Sequence, residues 1–302
     1  MIAEKYIEEK HPQEAVLNHV GLPRSTFHYN QSFSKRGRKP SEFTTKRDGS
    51  VVSNSDVVKD IKALFDEEEF SCYGYTAVTH KLKPVYIINK KKVYRLMKKE
   101  KLLLKRISRT ALGKQYVKFR KIKGATLFSN LQMDIKYVYI QGEKRNAYLL
   151  SIIDVYSRVV IGHLLSPTMK ASQVVRLLSY VFKAFNIDPA RIEVLIRTDN
   201  GCQFVATAVR EYLESIGVKH EFTHVATPEE NAYIESFHSI IERELFRRFE
   251  FESLSHARQK VDEYMEWYNM RRLHGSLGYK SPMAVLNDAL SKILVKNGSN
   301  LS

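Results

Sequence analysis

Apolar residues recur at helical spacing in the first third of the chain, where polar turns separate short segments. Residues 12–29 predict a short helix, a turn at Gly21 and a second helix that starts near Pro23. A helix, a glycine-containing turn and a second helix are the parts of a helix-turn-helix. The segment is too short to form a complete domain, so we expect a partial unit.

A longer helical region follows Ser55, which is placed to cap a helix with Val57 and Ile61 on its buried face. A turn at Gly74 then leads into a short second helix, and Asn89 is placed to cap a third one. Three short helices in succession predict a small all-α domain.

The third helix of this region, NKKKVYRLMKKEKLL, is basic over most of its surface. Val93, Leu96 and Met97 mark the side that we expect to be buried. The rest of the surface carries Lys90, Lys91, Lys92, Arg95, Lys98 and Lys99. A basic third helix is typical of a helix that lies against DNA. A solvated amphipathic helix would also be rich in lysine, and the pattern alone does not separate the two interpretations.

From about residue 127 the period changes to that of β-strands. Strands are predicted at 131–140, 147–156, 158–165, 192–196 and 219–225, and helices at 171–185, 205–217 and 231–249. Three strands come first, and helices then alternate with the remaining strands. This order predicts an α/β fold whose sheet begins with an antiparallel meander.

The positive charge of the chain is confined to its helical part. The 302 residues carry a net charge of +16, and residues 1–124 hold 28 basic and 13 acidic residues. Residues 125–302 are nearly neutral, with 21 basic and 20 acidic residues. A basic front end on a neutral body indicates that the front end binds a polyanion, which favours the DNA interpretation of the third helix.

The basic stretch at 35–50 has the composition of a linker. Its RGRKP core, with Arg36 and Arg38, is also similar to the hooks that architectural proteins insert into the DNA minor groove. The chain has no apolar stretch of membrane-spanning length and no secretory signal at its start, so no membrane partner is expected. Cys72 and Cys202 are far apart and fit neither a disulfide framework nor a zinc site, which indicates a reducing cytoplasm.

Three carboxylates occupy informative places in the α/β part. Asp134 lies inside the first strand, where a charge is costly unless it is used or paired. Asp199 follows a buried strand, at the end where open α/β sheets place ligand-binding groups. Glu235 lies in the first turn of the last predicted helix, and His238, one turn later, could contact DNA or be structural. If that helix packs beside these strands, the three carboxylates converge.

Convergent carboxylates without thiolates predict a hard divalent ion, Mg²⁺ or Mn²⁺. Two such ions can activate an attacking oxygen and stabilise the leaving oxygen of a phosphodiester. The competing interpretation of Asp199 is a plain turn, because Asn200 and Gly201 follow it.

Other polar residues near these positions have structural interpretations. Asp154 follows an apolar strand and is expected to pair with Arg158. Glu230 and Glu242 are interpreted as solvated charges at helix ends, and Asn231 as a helix cap.

Several motifs of the chain resemble those of insertion-sequence family three, in the second-frame (OrfB type) transposases. RTDNGCQF is similar to the second-Asp motif of that family and PEENAYIESFHSIIERE to its Glu helix, with thirty-five residues between Asp199 and Glu235. YNMRRLHGSLGYKSP resembles its C-terminal signature. FSCYGYTAV with KKVYRLMKKEKL resembles its second helix-turn-helix, and GLPRSTFHYN the end of its first. The resemblance covers nearly the whole chain in the order of the family.

The resemblance implies a ribonuclease-H-like integrase core preceded by a small all-α DNA-binding region. The implied activity is Mg²⁺-dependent nicking at a DNA 3′ end followed by strand transfer, with two ions held by Asp134, Asp199 and Glu235. The candidate DNA contacts are the six cations of the third helix together with Arg24, Arg36, Arg38, Asn200 and Arg243. Its implied partners are the terminal repeats and target DNA, further copies of the chain in a synaptic complex, and a fused upstream-frame protein, all at the bacterial nucleoid.

The expected organisation divides the chain into six parts. These are a partial helix-turn-helix (1–34), a basic linker (35–54), a second helix-turn-helix-like domain (55–110), a linker (111–126), the catalytic core (127–249) and a C-terminal helical segment (250–302).

Some positions depart from the family pattern. Leu131 and Met133 replace a Trp and a Thr that often precede the first Asp, and Glu242 stands where a Lys or Arg is common. Arg243 or Arg247 could supply that DNA contact. Two rival functions therefore remain, a ribonuclease-H-like nuclease that only hydrolyses and a DNA-binding regulator without catalysis.

Overall fold

The computed structural model describes residues 2–28, 40–104, 124–224 and 228–298, and it divides into two compact units, Met1–Phe43 and Thr44–Ser302. The first unit contains α1 (Ile2–Glu8), α2 (Gln13–Val20) and α3 (Arg24–Phe27). Gly21 ends α2 in the left-handed conformation, with φ 67°, and its N–H donates to Asn18. The predicted helix, glycine turn and second helix are confirmed.

The second unit begins with a two-stranded sheet and three helices. The sheet consists of β1 (Phe43–Thr45) and β2 (Val51–Ser53), and the helices are α4 (Asn54–Glu67), α5 (Tyr75–Leu82) and α6 (Lys90–Lys99). Asn89 caps α6 as predicted, and Val93, Leu96 and Met97 are its buried residues. The cap of α4 is Ser53 and not Ser55, because the Ser53 hydroxyl accepts from the Asp56 N–H while Ser55 is already inside the helix.

A five-stranded sheet forms the centre of the second unit. Its strands are β3 (Asn130–Ile140), β4 (Arg145–Asp154), β5 (Val160–Ser166), β6 (Leu195–Thr198) and β7 (Lys219–Phe222), in the order β5-β4-β3-β6-β7. The β3–β4 and β4–β5 pairs are antiparallel, whereas β3–β6 and β6–β7 are parallel. The predicted α/β fold with an initial meander is confirmed.

Helices cover both faces of this sheet. They are α7 (Ala171–Ala184), α8 (Cys202–Val205), α9 (Thr207–Ser215), α10 (Ala232–Ile241), α11 (Leu254–Met270) and α12 (Pro282–Gly298). Because side chains alternate along a strand, Leu131 and Met133 of β3 pack in the core that contains α7 and α9. Val138 and Ile140 pack in the core that contains α10 and α11.

The predicted helix over 231–249 is interrupted. It begins after a 3-10 turn at Pro228–Asn231, ends as α-helix at Ile241 and continues as a π-helical turn, Glu242–Phe246. The π-helical turn buries Glu244 and Leu245.

The helical part of the second unit contacts α11 and the segment between α11 and α12. The Phe70 ring lies 5.4 Å from the Tyr264 ring and 6.0 Å from the Trp267 ring. The His80 ring stacks on Tyr279 at 3.8 Å. We call these ring contacts, together with the buried Glu244, the partly buried Glu68 and the partners of both acids, the seam. None of the helices in the described ranges is long and apolar enough to cross a membrane.

Candidate active site

Asp134 in β3 and Asp199, one residue past β6, lie beside each other where the parallel pairing of these two strands ends, a place that we call the sheet edge. The β3–β6 ladder pairs Gln132 with Arg197, and each Asp is two residues further along its strand direction. Two residues is one repeat of a strand, so each Asp lies on the same face as its paired predecessor. The fold therefore brings the two carboxylates together from positions far apart in the chain.

The charges of these two carboxylates act on each other. The pKa of Asp199 is raised, first by loss of part of its hydration and further by the negative charge of Asp134. The Gly201 N–H donates to Asp199 Oδ1 at 3.0 Å and opposes this rise. The Ile135 N–H donates to Asp134 Oδ1 at 2.7 Å. An Asp beside another Asp at a sheet edge is the arrangement that a divalent cation would stabilise.

Glu235 lies in the first turn of α10, and its side chain is exposed. Three residues later on this helix, His238 Nδ1 lies 3.3 Å from Asp134 Oδ2. Residues three apart are neighbours on a helix surface, so the part of α10 that carries Glu235 runs beside the strand of Asp134. His238 is 8% exposed and contacts Asp134, as expected for a partly buried structural histidine, and its contact with DNA stays a prediction.

The described ranges contain no group of three or more His, Cys, Asp or Glu side chains that could hold a metal ion. The structure brings Asp134 and Asp199 together and places Glu235 on the adjoining helix, without a closed set of three ligands.

Two functional candidates were missed in the sequence. Gln132 and Arg197, 1% and 2% exposed, lie beneath the two Asp residues and bind the segment that leads into α10. The signal was present, because each is a polar residue inside an apolar strand, two positions before an Asp.

The DNA-contacting candidates lie at several places. On α6, Lys90, Lys91, Arg95, Lys98 and Lys99 are exposed and Lys92 is half-buried. Arg24 is exposed on α3, whereas Arg36 and Arg38 lie outside the described residues. Asn200 donates to the Thr223 carbonyl at 3.0 Å. Arg243 donates to the buried Glu244 at 2.8 Å, so one of its hydrogen bonds is already directed into the protein.

Three structural interpretations are corrected. Glu230 is 1% exposed and not solvated, and its carboxylate accepts from the His224 N–H at 3.0 Å. Asp154 does not pair with the Arg158 side chain, because its buried carboxylate accepts from Ser157 and from the Phe128 N–H. Asn231 stands at the cap position of α10, but its side chain makes no capping hydrogen bond.

Glu242 is not a free helix-end charge either. It lies 3.1 Å from Lys136 Nζ and 3.2 Å from Arg247 Nε. Both cations that could have contacted DNA in place of residue 242, Arg243 and Arg247, therefore have acidic partners in the same turn.

Comparison with known proteins gives consistent matches along the chain. The integrase core domain family matches residues 128–228, a second integrase core family matches residues 216–282, and an HTH-like domain family matches residues 53–110. The transposase for insertion sequence element IS904 of Lactococcus lactis is 30% identical over 261 residues, which cover 81% of this chain and 96% of that relative. The putative transposase InsK for insertion sequence element IS150 of Escherichia coli is 29% identical over 294 residues, which cover 93% and 95%.

Among solved structures, a chain of the simian T-cell lymphotropic virus intasome, in complex with a PP2A regulatory subunit, is 14% identical. It aligns with a TM-score of 0.47 over 74% of this chain and 73% of that chain.

Proposed function

The chain belongs to the DDE transposases of insertion-sequence family three, and from this premise we propose that Asp134, Asp199 and Glu235 are its catalytic carboxylates. The observation that carries the proposal is the adjacency of Asp134 and Asp199 on parallel strands, where the charge of one raises the pKa of the other. The contact of His238 with Asp134 supports the inclusion of Glu235, which lies on the same helix.

We propose that these residues hold Mg²⁺ or Mn²⁺, with two ions in the active complex. The donor set fits, because carboxylate oxygens are the ligands that these hard cations prefer. When bound, such ions activate the attacking oxygen and stabilise the leaving oxygen of a phosphodiester. The chain itself holds the Asp199 carboxylate by the Gly201 N–H and the Asp134 carboxylate by the Ile135 N–H, which fixes the direction of both.

The enzyme is a polynucleotidyl transferase, and the proposed reaction has two displacements at phosphorus. Water first attacks the phosphodiester at an element end, a new P–O bond forms, and the bond to the 3′ oxygen breaks. The freed 3′-hydroxyl then attacks a target phosphodiester, and the target 3′ oxygen leaves. The attacking oxygens come from water and DNA, so the carboxylates act without forming a covalent intermediate.

The proposed partner is double-stranded DNA, both the element ends and the target. The exposed cations of α6 supply the charge that a phosphate backbone requires, and the match of residues 53–110 to an HTH-like family supports their role. We propose that residues 55–110 bind DNA, that residues 127–249 carry the chemistry, and that copies of the chain associate to bring two element ends together.

A strand-transfer assay with labelled terminal-repeat DNA and Mg²⁺ tests the active site. Asp199→Asn keeps the acceptor for the Gly201 N–H but removes the charge, and we expect joined product to fall about 100- to 1,000-fold, the loss typical when a preorganised charge is removed from an active site. Asp188→Asn is the matched control, because Asp188 also accepts the N–H two residues later, that of Ala190, at 3.0 Å.

Full joining activity of Asp199→Asn would refute the proposed site. In the wild-type protein, joined products support the transposase, nicks without joining support a nuclease, and retardation of DNA without cleavage supports a regulator.

A further inference from the structure

We propose that Gln132 and Arg197 are positioning residues that fix Glu235 relative to Asp134 and Asp199. The inference rests on the proposed active site and assigns the parts of the chain that hold its third carboxylate in place. Neither residue would touch DNA or a metal ion. Both would act through the segment that carries Glu235.

Gln132 and Arg197 form a buried polar pair directly behind the two Asp residues. They face each other in the β3–β6 ladder and are 1% and 2% exposed. Burial of an amide and of a guanidinium costs free energy unless each is hydrogen-bonded. A core position two residues before each Asp would accept Leu or Val in an ordinary sheet, so the polar side chains need a reason.

Both side chains bind the same carbonyl group. Gln132 Nε2 donates to the Glu230 carbonyl at 3.1 Å, and Arg197 Nη1 donates to the same oxygen at 3.0 Å. The two strands that carry the Asp residues are thereby joined to one point in the turn before α10. A shift of either strand relative to this turn would break one of the two hydrogen bonds.

Gln132 also holds the first turn of α10. Its Oε1 accepts from the Tyr233 N–H and from the Ile234 N–H, each at 3.0 Å. The first N–H groups of a helix have no partner within the helix, and here the capping role falls to a side chain on β3 because Asn231 makes no capping hydrogen bond. The residue after Ile234 is Glu235. A single amide therefore ties the strand of Asp134 to the two residues that precede Glu235.

Arg197 and Glu230 are themselves held in place. Arg197 Nη2 donates to Glu221 Oε2 on β7 at 2.8 Å, and the Glu230 carboxylate accepts from the His224 N–H and lies 3.0 Å from His224 Nδ1. Outer groups that orient metal ligands typically affect metal affinity as well as activity. A residue that only stabilises the fold would lower the melting temperature without changing the metal requirement.

The test compares Gln132→Met with Gln141→Met in the full chain. Methionine is similar in volume to glutamine and removes its hydrogen bonds. Gln141 is the matched control, because it lies just past the far end of β3 and also accepts a backbone N–H, that of Phe251, at 2.8 Å. Two quantities are measured for each variant, the Mg²⁺ concentration that gives half-maximal strand transfer and the rise in melting temperature on adding saturating Mn²⁺.

We expect Gln132→Met to raise the half-maximal Mg²⁺ concentration about 10- to 100-fold, the range found when a group that orients metal ligands is removed. The Mn²⁺-induced rise in melting temperature should shrink in parallel, since it reports binding to the folded state. Gln141→Met should leave both quantities at their wild-type values, even if its melting temperature without metal falls.

Equal metal requirements for the two variants would overturn the positioning role. If Gln132→Met does not fold, Arg197→Lys takes its place, because it keeps a charge for Glu221 but removes the planar fork that also reaches Glu230. A wild-type protein with no Mn²⁺-induced rise and no metal-dependent activity would instead refute the proposed active site. Loss of the rise in Asp199→Asn, with no change in Gln132→Met, would keep the site and refute only the positioning role.

Discussion

The acids of the seam, Glu68 and Glu244, and the acids at the sheet edge, Asp134 and Asp199, have different electrostatic surroundings. In the seam, Glu244 is 1% exposed, and the Arg272 guanidinium donates to both of its oxygens, at 2.8 and 2.9 Å. The Tyr264 hydroxyl adds a third hydrogen bond at 3.1 Å. Burial and the nearby Glu244 carboxylate raise the pKa of Tyr264 well above its usual value, so this hydroxyl remains a donor.

Glu68 repeats the same pattern at the other side of the seam. It accepts from Lys81 at 2.7 Å, from the Tyr73 hydroxyl at 2.8 Å and from Trp267 Nε1 at 3.2 Å. These partners come from α5, from the loop before it and from α11. The carboxylate therefore links the helical region to α11, and each of these three partners donates to it.

At the sheet edge a second carboxylate lies near Asp199, because the negative charge of Asp134 contributes to the raised pKa of Asp199. Within the described part of the chain, Asp134 and Asp199 have no Lys or Arg in ion-pair contact, and His238 is the one basic side chain beside Asp134. The seam acids accept from Lys or Arg side chains, whereas Asp134 and Asp199 accept from backbone N–H groups. The difference teaches what separates acids that stabilise a fold from candidates for function, since neighbouring carboxylates without a Lys or Arg partner are suited to bind a cation.

The largest expected effect is the loss of stability caused by a substitution in the seam. Glu244→Gln removes the charge that Arg272 requires, and breaking a buried ion pair costs about 3–5 kcal/mol. We expect that loss in the free energy of unfolding, measured by urea denaturation. Glu242→Gln, in the same π-helical turn but partly exposed, is the matched control and should change stability far less.

Asp199→Asn provides the other arm of this comparison. Its stability should equal or exceed that of the wild type, because the substitution removes repulsion between like charges. Two outcomes would contradict this difference between the regions. In the first, Asp199→Asn loses as much free energy of unfolding as Glu244→Gln, and in the second, Glu244→Gln loses no more than Glu242→Gln.

The sequence was sufficient for elements whose signal is local. The strand around Asp134 was predicted at 131–140 and extends from Asn130 to Ile140, because strand alternation and turn residues are both visible in a short window. The predicted family and the α/β integrase-core fold are confirmed. The edge position of Asp199 also followed from a local pattern, an apolar run that ends in a charge.

The rest depends on pairing between distant segments. Gln132 and Glu230 lie 98 residues apart, and only the strand register reveals that one binds the other. Glu230 was interpreted as solvated because a helix-end acid usually is, whereas the 3-10 turn places it inside. The break of the predicted helix at Ile241 is invisible in its apolar stripe, since Leu245 stays buried in either geometry.

A smaller effect is expected from pH, again in the seam. Burial, with the positive charges of Arg272 and Arg158, lowers the pKa of His274 to about 3. An unfolded histidine has a pKa of about 6.5, so the folded state resists protonation. Its contribution to stability is therefore present above pH 6.5 and is lost as the pH falls towards 3, by about 2 kcal/mol between pH 7 and pH 5.

Urea denaturation at pH 7 and pH 5 measures this dependence. His274→Gln keeps an acceptor near Arg272, which lies 3.2 Å from His274 Nε2, but glutamine cannot titrate in this range. The free energy of unfolding of this variant should therefore fall less between pH 7 and pH 5 than that of the wild type. His19→Gln, at an exposed histidine, should retain the whole drop. An identical drop in both variants would show that His274 is accessible to protons in the folded state.

The smallest effect is expected where charge is paired but not buried. Arg247 lies 3.2 Å from Glu242, and the side chains are 64% and 32% exposed. An ion pair between solvent-exposed side chains contributes about 0.2–1 kcal/mol. Arg247→Ala should therefore lower the free energy of unfolding by no more than this, and by less still in high salt. Urea denaturation at low and high ionic strength measures both. Glu242 lies in the same π-helical turn as Glu244, two residues before it, and its side chain is 32% exposed against 1% for Glu244, so burial is the main difference between the two acids. A cost as large as that of Glu244→Gln would mean that the turn itself, and not the desolvation of its acid, sets the stability of the seam.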